Sequence, residues 1–171
     1  MGSVPSRSTR SLERIRTMAA KSPKEHYLDT LYKDLALALG DAVWAFAKIE
    51  WLTYERLRRL SGVRLDEWVG GINFRPRTAI LRSIIEGRDA PTQAKKRALA
   101  AIKAAEDLAE QRNIIVHNPW SIWVDLDAGE FMTEIQRYAG RGKSIDLKQL
   151  SSFTDSCLKV ETEMREALNA L

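Results

Sequence analysis

The stretch TQAKKRALAAIKAAEDLAEQRNIIVHNP, residues 92–119, decides the fold class of this chain. It is rich in alanine and lysine, which are strong helix formers, and its apolar residues recur at the spacing of one helix face. Asn118 precedes Pro119 and is therefore biased out of the helical region. The sequence thus predicts one long helix from about Thr92 to His117, and a chain built around it as a helical bundle.

Apolar residues at helical spacing predict three further main helices around this one. The first covers residues 24–60, either as one helix or as two joined near residues 40–41, and Gly62 ends it. The other two cover residues 77–88 and the segment from Ile145 onward. The predicted fold class is mainly all-α, an up-and-down bundle of four to five helices.

Two extended runs interrupt this helical pattern before the last helix. Residues 121–126 and 130–136 flank Asp127-Ala128-Gly129, and this order is typical of a β-hairpin with a three-residue loop. We therefore expect a small β-hairpin insertion near residues 121–137.

The length and composition are those of an ordinary one-domain protein, with 171 residues, 44% of them hydrophobic and 29% charged. Residues 1–24 are expected to form a basic, partly disordered arm, and residues 25–171 the helical domain. No apolar stretch approaches the ~20 residues of a membrane-spanning helix, so no membrane partner is expected. A single cysteine, Cys157, excludes an intrachain disulfide and favours a reducing, cytoplasmic location with the thiol in the core.

The net charge of +4 conceals a segregation of charge along the chain. Residues 1–24 carry a net +5 and residues 56–103 a net +8, whereas the intervening and following segments are acidic. A basic surface attracts polyanions such as RNA, because phosphate neutralisation supplies most non-specific affinity. Solvated basic helix faces would explain the same charges equally well. The candidates for RNA binding are Arg75, Arg77, Lys95 and Lys96, within a wider basic group that includes Arg56, Arg58, Arg59, Arg64 and Arg97.

Two charged residues fall on the apolar faces of their helices. At about 100° per residue, Arg112 lies about 40° from Leu108, and Glu50 lies about 40° from Phe46. Both are therefore expected to be largely buried. Because an unpaired buried charge is costly, we expect a Glu50–Arg112 ion pair between the two helices. A purely structural role for this pair remains an alternative.

The end of the helix over residues 92–117 carries the pattern R-N-x-x-x-H, formed by Arg112, Asn113 and His117 and followed by residues 118–120. With the helix order around it, this pattern resembles the signature of the HEPN superfamily of small all-α domains. The resemblance covers most of the chain from residue 25 onward. It implies a HEPN-like fold and, as in many HEPN domains, a metal-independent endoribonuclease without a cofactor. The implied reaction is attack of the RNA 2′-hydroxyl on its neighbouring phosphate, giving a 2′,3′-cyclic phosphate and a 5′-hydroxyl.

In such a site His117 is expected to act as general base or acid, because an imidazole exchanges protons near neutral pH. Arg112, supported by Glu50, would hold the phosphate, and Asn113 would orient His117 or hydrogen-bond the substrate. Arg112 and His117 point about 140° apart on one helix, so one helix is not expected to direct both side chains at a single phosphate. The resemblance implies a homodimer whose paired motifs build one composite cleft. With only two histidines and one cysteine, no metal site is expected.

The resemblance further implies a toxin or antiphage-defence role, with tRNA or mRNA as substrate and an antitoxin or regulatory protein as a further partner. HEPN toxins that are controlled by an AMP-transferring antitoxin carry tyrosine where Pro119 stands here, so that type of regulation is not expected. The alternative function is a non-catalytic, HEPN-like nucleotide-binding or protein-interaction module in which the Glu50–Arg112 pair is structural.

Overall fold

The computed structural model describes residues 23–125, 130–135 and 145–171. Its helices are α1 (Pro23–Ser61), α2 (Leu65–Trp68), α3 (Phe74–Gly87), α4 (Thr92–His117) and α5 (Leu147–Asn169). Its strands are β1 (Trp120–Asp125), β2 (Glu130–Ile135) and β3 (Ile145–Asp146). The predicted mainly all-α class with a small hairpin is confirmed. Residues 1–22 of the predicted basic arm lie outside the described residues.

The described residues divide between two compact units, one that ends at Asp34 and one that covers Leu35–Leu171. In the first unit the Thr30 hydroxyl donates a hydrogen bond to the carbonyl oxygen of His26, at 3.0 Å, one turn back along α1. The second unit contains the hydrophobic core and the residues that line the cleft between α1, α3 and α4. No helix in the described ranges is both long and apolar enough to cross a membrane.

Helix α1 is one continuous helix, so the alternative of two helices joined near residues 40–41 was wrong. Gly62 ends it as predicted, with a positive φ of 70° that glycine adopts without steric cost. Helix α3 begins three residues earlier than the predicted residue 77. The reason is that Pro76 lies in its first turn, where a missing N–H breaks no intrahelical hydrogen bond.

Helix α4 has the predicted bounds, Thr92–His117. Asn118 is extended, with φ −117° and ψ 147°, as expected for a residue before proline. Its side-chain amide donates a hydrogen bond to the carbonyl oxygen of Ile114 at 2.8 Å, which satisfies one of the free carbonyl groups at the helix end. This hydrogen bond closes the last turn of α4, which carries His117.

The three strands form one antiparallel sheet in the order β1-β2-β3. In the hairpin Trp120 pairs with Ile135 and Asp125 pairs with Glu130, so the predicted hairpin is confirmed. Its predicted three-residue loop lies outside the described residues. Strand β3, in which Ile145 pairs with Ile135, was not predicted because two residues show no periodicity.

The core packs α4 against α3 and α5, and the aromatic ring of Phe46 joins α1 to two of these helices. Its centroid lies 5.3 Å from that of Phe74 on α3 and 6.5 Å from that of Phe153 on α5. Cys157 is buried in this core as predicted, and burial raises the pKa of its thiol to about 12. Phe46 also lines the cleft between α1, α3 and α4 that is described below, so the core holds one wall of that cleft in place.

Candidate functional site

A cleft of about 840 Å³ opens between α1, the start of α3 and the end of α4. Its lining comes from three turns of α1 over residues 46–54, from residues 70–77, and from the last turns of α4 over residues 109–117. The α1 contributors are spaced four residues apart, as are Ala109, Asn113 and His117 on α4. This spacing places side chains above one another on a helix face, so each helix presents one stripe to the cleft.

Glu50 lies between two arginines from different helices. Its Oε2 is 3.9 Å from Nη2 of Arg112 on α4, and its Oε1 is 3.9 Å from Nη2 of Arg77 on α3. The predicted Glu50–Arg112 ion pair is therefore confirmed. Both side chains are partly buried, each 29% exposed, which is less complete burial than the sequence predicted. Both side chains line the cleft.

Arg77 is the most deeply buried charge of the site, with a side chain 3% exposed. Its Nε donates to the Thr53 hydroxyl at 2.7 Å, and its Nη1 donates to the Tyr54 hydroxyl and to the Ile72 carbonyl. The guanidinium carbon lies 3.9 Å from the centroid of the Tyr54 ring. Burial lowers the pKa of Arg77, and Tyr54 and Glu50 oppose this shift. Nη2 has no hydrogen-bond acceptor among the described residues.

The sequence placed Arg77 in an exposed basic surface, and that placement was wrong. Phe74, Arg77, Thr78, Leu81 and Ile85 are the buried residues of α3. Arg77 lies three residues after Phe74 and four before Leu81, which is the same helical spacing that identified Arg112. Arg56 is likewise buried, and its Nη1 donates to Asn169 Oδ1 at 2.7 Å.

Arg112, Asn113 and His117 all line this one cleft. The guanidinium carbon of Arg112 lies 5.8 Å from the centroid of the Phe46 ring, and its Nη1 donates to Asn113 Oδ1 at 3.3 Å. His117 is exposed at the end of α4. The cleft extends along the α4 face and borders both Arg112 and His117. That one helix does not turn both side chains toward a single phosphate stays a prediction.

The remaining RNA-binding candidates divide into one near residue and two distant ones. Arg75, in the first turn of α3, lines the cleft and forms a hydrogen-bonded ion pair with Glu110 on α4. Lys95 and Lys96 do not line it. Lys95 lies 22 residues and Lys96 21 residues before His117. At 1.5 Å per residue, both are about 32–33 Å from His117 along α4. Lys95 donates to the carbonyl oxygen of Glu86 at 3.1 Å.

The cleft thus combines three guanidinium groups, two carboxylates and one imidazole. Arginine forks suit phosphate oxygens, and an imidazole can move a proton near neutral pH. Across the residues that the structure describes, no group of three or more His, Cys, Asp or Glu side chains is arranged to hold a metal ion. The guanidinium groups therefore favour an anionic ligand, and the His117 imidazole can exchange a proton with it.

Comparisons with known proteins do not place this chain in a family. It matches no family model, and neither a curated protein nor a solved structure is significantly similar to it.

Proposed function

We propose that the protein is a metal-independent endoribonuclease that cuts RNA in the cleft between α1, α3 and α4. The observation that carries this proposal is that Arg112, Asn113 and His117, the three residues of the R-N-x-x-x-H pattern, line one cleft. The resemblance of this pattern to the HEPN signature supports the same function. In the proposed reaction the RNA O2′ bonds to phosphorus as the P–O5′ bond breaks, leaving a 2′,3′-cyclic phosphate and a 5′-hydroxyl.

His117 moves protons in this mechanism. The 2′-hydroxyl must lose a proton as it attacks, and the leaving O5′ must gain one. The imidazole of His117 is exposed at the cleft, where a substrate hydroxyl can reach it. His117 therefore serves as the base that accepts the first proton or as the acid that supplies the second.

Arg112 binds the scissile phosphate and stabilises the charge that develops on its oxygens. A guanidinium presents planar donors that match two phosphate oxygens at once. The Glu50 carboxylate at 3.9 Å and the Phe46 ring at 5.8 Å hold this guanidinium at the wall of the cleft. Asn113 accepts a hydrogen bond from Arg112 and leaves its amide donor for the substrate.

Homodimerisation belongs to the proposal for a chemical reason. The reaction needs both a base and an acid, whereas the cleft of one chain is lined by one histidine. Two copies related by a two-fold axis near the exposed end of α4 would bring a second His117 to the same RNA. The Arg112 and His117 of one chain already share a cleft, so the second copy would complete the proton transfers and need not supply the phosphate site.

The biological role that we propose is that of a cytoplasmic toxin or antiphage-defence nuclease. RNA, such as tRNA or mRNA, is the proposed substrate, because the mechanism needs a 2′-hydroxyl that DNA lacks. An antitoxin or another regulatory protein is the proposed partner that restrains cleavage. Pro119, which stands where AMP-modified HEPN toxins carry tyrosine, argues against regulation by that modification.

The function is tested with two RNA oligonucleotides of the same sequence, which contains a site that the protein cuts. They differ only in the 2′ group of the nucleotide at that site. Replacing the single 2′-hydroxyl at that site by a 2′-O-methyl group should stop cleavage there, since the nucleophile is blocked, while the flanking sites remain cut. Cleavage of the blocked linkage would contradict the mechanism.

Homodimerisation is tested on the same preparation. Sedimentation equilibrium should give a molecular mass of about twice the monomer mass of 19.4 kDa.

One observation favours the alternative function, a non-catalytic nucleotide-binding or protein-interaction module. Glu50 pairs with Arg77 and Arg112 at once and so connects α1, α3 and α4, which explains Arg112 without any substrate. This role does not explain why His117 lies exposed at the same cleft. The His117 side chain therefore separates the two functions.

A further inference from the structure

Helix α1 carries an exposed row of large apolar side chains that the cleft does not use. Leu37, Trp44 and Trp51 are spaced seven residues apart, which is nearly two helical turns, so they lie on one face of the helix. Their exposed fractions are 67%, 69% and 59%. Trp44 is turned about 120° around α1 from Glu50, which lines the cleft. A contiguous exposed apolar row of this kind is typical of an interaction surface.

Two side chains of opposite charge lie in the same row. Asp41 and Lys48 are also seven residues apart, and they occupy the turns between the apolar members. Both are exposed, and neither side chain forms a hydrogen bond or an ion pair with another residue that the structure describes. We call these five positions, residues 37, 41, 44, 48 and 51, the α1 stripe. The α1 stripe has no net charge, and its negative member precedes its positive one.

A groove of about 660 Å³ borders the α1 stripe on the side of α5. Both tryptophans of the stripe line this groove, together with Ala47 and Lys48 of α1 and Glu161 and Arg165 of α5. Glu161 accepts a hydrogen bond from Nε of Arg165 at 2.9 Å, so these two charges are already paired. The groove therefore leaves open space beside the two rings, where a side chain of a partner can pack.

The order of charges in the α1 stripe suits a second copy of this chain in antiparallel orientation. A two-fold axis at Trp44 sets Leu37 against Trp51 of the partner subunit and brings the two Trp44 rings together. In the same register Asp41 lies one residue, about 1.5 Å along the helix, from the position opposite Lys48 of the partner subunit. The two-fold axis repeats this contact, so all four charges are paired. A parallel arrangement would instead set like charges against each other, which is repulsive.

The area of the α1 stripe is large enough for a reversible contact between two copies. At roughly 250 Å² for a tryptophan side chain, the exposed parts of Trp44 and Trp51 offer about 300 Å² per chain and about 600 Å² in a pair. Leu37 and the two charged side chains extend this area toward the roughly 1,000 Å² of a small specific interface. Interfaces of this size are weak, so we expect dissociation constants in the micromolar range.

We infer that the α1 stripe is a self-association surface, on which two copies of the chain pack antiparallel around a two-fold axis at Trp44. This surface is separate from the contact near the end of α4 that the proposed nuclease uses, and it does not depend on RNA cleavage. Dimers formed through α4 would associate through it into tetramers. RNA is a poorer occupant, because a stripe without net charge releases few counterions from a polyanion.

The first test reverses the charges of the α1 stripe in the full chain. Asp41→Lys and Lys48→Asp each set like charges against each other, so each should weaken self-association about tenfold. The double variant Asp41→Lys/Lys48→Asp restores opposite charges and should associate within about threefold of the wild type. An equimolar mixture of the two single variants should also associate, because each supplies the charge that the other lacks. Sedimentation equilibrium over about 1–200 μM protein measures the association constants.

The second test removes the aromatic ring at the two-fold axis. Trp44→Ala should weaken self-association at least about thirtyfold, because a central aromatic side chain carries much of the energy of a small interface. Trp68→Ala is the matched control, since Trp68 is 85% exposed but lies on α2, outside the α1 stripe. This control should associate as the wild type does. Because both tryptophans are largely exposed, both variants should unfold at nearly the wild-type urea concentration.

The starting mass distinguishes this contact from the one near the end of α4. If the α4 dimer forms, the mass of the wild type should rise with concentration from about twice toward about four times 19.4 kDa. If it does not form, the mass should rise from one toward two times that value, with the same effects of the charge reversals. The inference is overturned if the wild type and both single charge reversals have the same mass at every concentration. It is also overturned if Trp44→Ala weakens binding of a single-stranded RNA and leaves the mass unchanged.

Discussion

Replacing His117 by alanine should lower the rate of RNA cleavage by about 10²–10⁴-fold, the usual contribution of a general acid or base. The loss should not come from unfolding. His117 is exposed at the end of α4, and its imidazole forms no hydrogen bond or ion pair within the described residues. The free energy of unfolding should therefore change by no more than about 0.5 kcal/mol. Cleavage rates and urea unfolding of the same preparations measure both effects.

The matched control is His26→Ala, which removes the other histidine of the chain. His26 is exposed and does not line the cleft, and its carbonyl, not its ring, accepts the hydrogen bond from Thr30. This variant should cleave RNA at the wild-type rate. Cleavage by His117→Ala at the wild-type rate would rule out proton transfer by His117, and intact RNA with both the wild type and this variant would favour the non-catalytic module.

Replacing Arg77 by alanine should destabilise the protein by about 3–5 kcal/mol, the range for removing one member of a buried charged network. The change deletes the donors to Thr53, Tyr54 and Ile72 and leaves Glu50 with Arg112 alone. It also removes the guanidinium that stacks on the Tyr54 ring. Urea unfolding, followed by the far-ultraviolet circular dichroism of the helices, gives the free energy.

Arg75→Ala is the control for this second prediction, since Arg75 lies two residues earlier on the same helix. Its ion pair with Glu110 joins two side chains that are 64% and 65% exposed, so its loss should cost less than about 1 kcal/mol. Similar stabilities for Arg77→Ala and Arg75→Ala would contradict the central structural role of Arg77. Cleavage by Arg77→Ala is informative only where the variant is folded.

The sequence predicted best those features that depend on local chemistry. The end of α4 follows from the restriction that Pro119 places on Asn118, and the structure has the same boundary. The Glu50–Arg112 pair followed from helical periodicity, because a charge on an apolar stripe needs a partner. Both predictions needed only the neighbouring residues along one or two helices.

The features that the sequence did not predict depend on packing between distant elements. Net charge counts Arg77 and Arg75 alike, yet one is buried and the other exposed, because burial depends on what α3 packs against. The cleft itself needs α1, α3 and α4 together with the glycines before α3, and no single segment describes that shape. The same arrangement lets Arg112 and His117 border one cavity, although their directions on α4 differ.

The measurement that tests the central claim most directly is cleavage of total RNA and of a tRNA pool by the purified protein in the presence of EDTA, with analysis of the product ends. The proposed mechanism predicts products with 2′,3′-cyclic phosphate and 5′-hydroxyl ends, formed at the same rate with and without the chelator. Intact RNA from a folded preparation, or products with 3′-hydroxyl and 5′-phosphate ends, would contradict it.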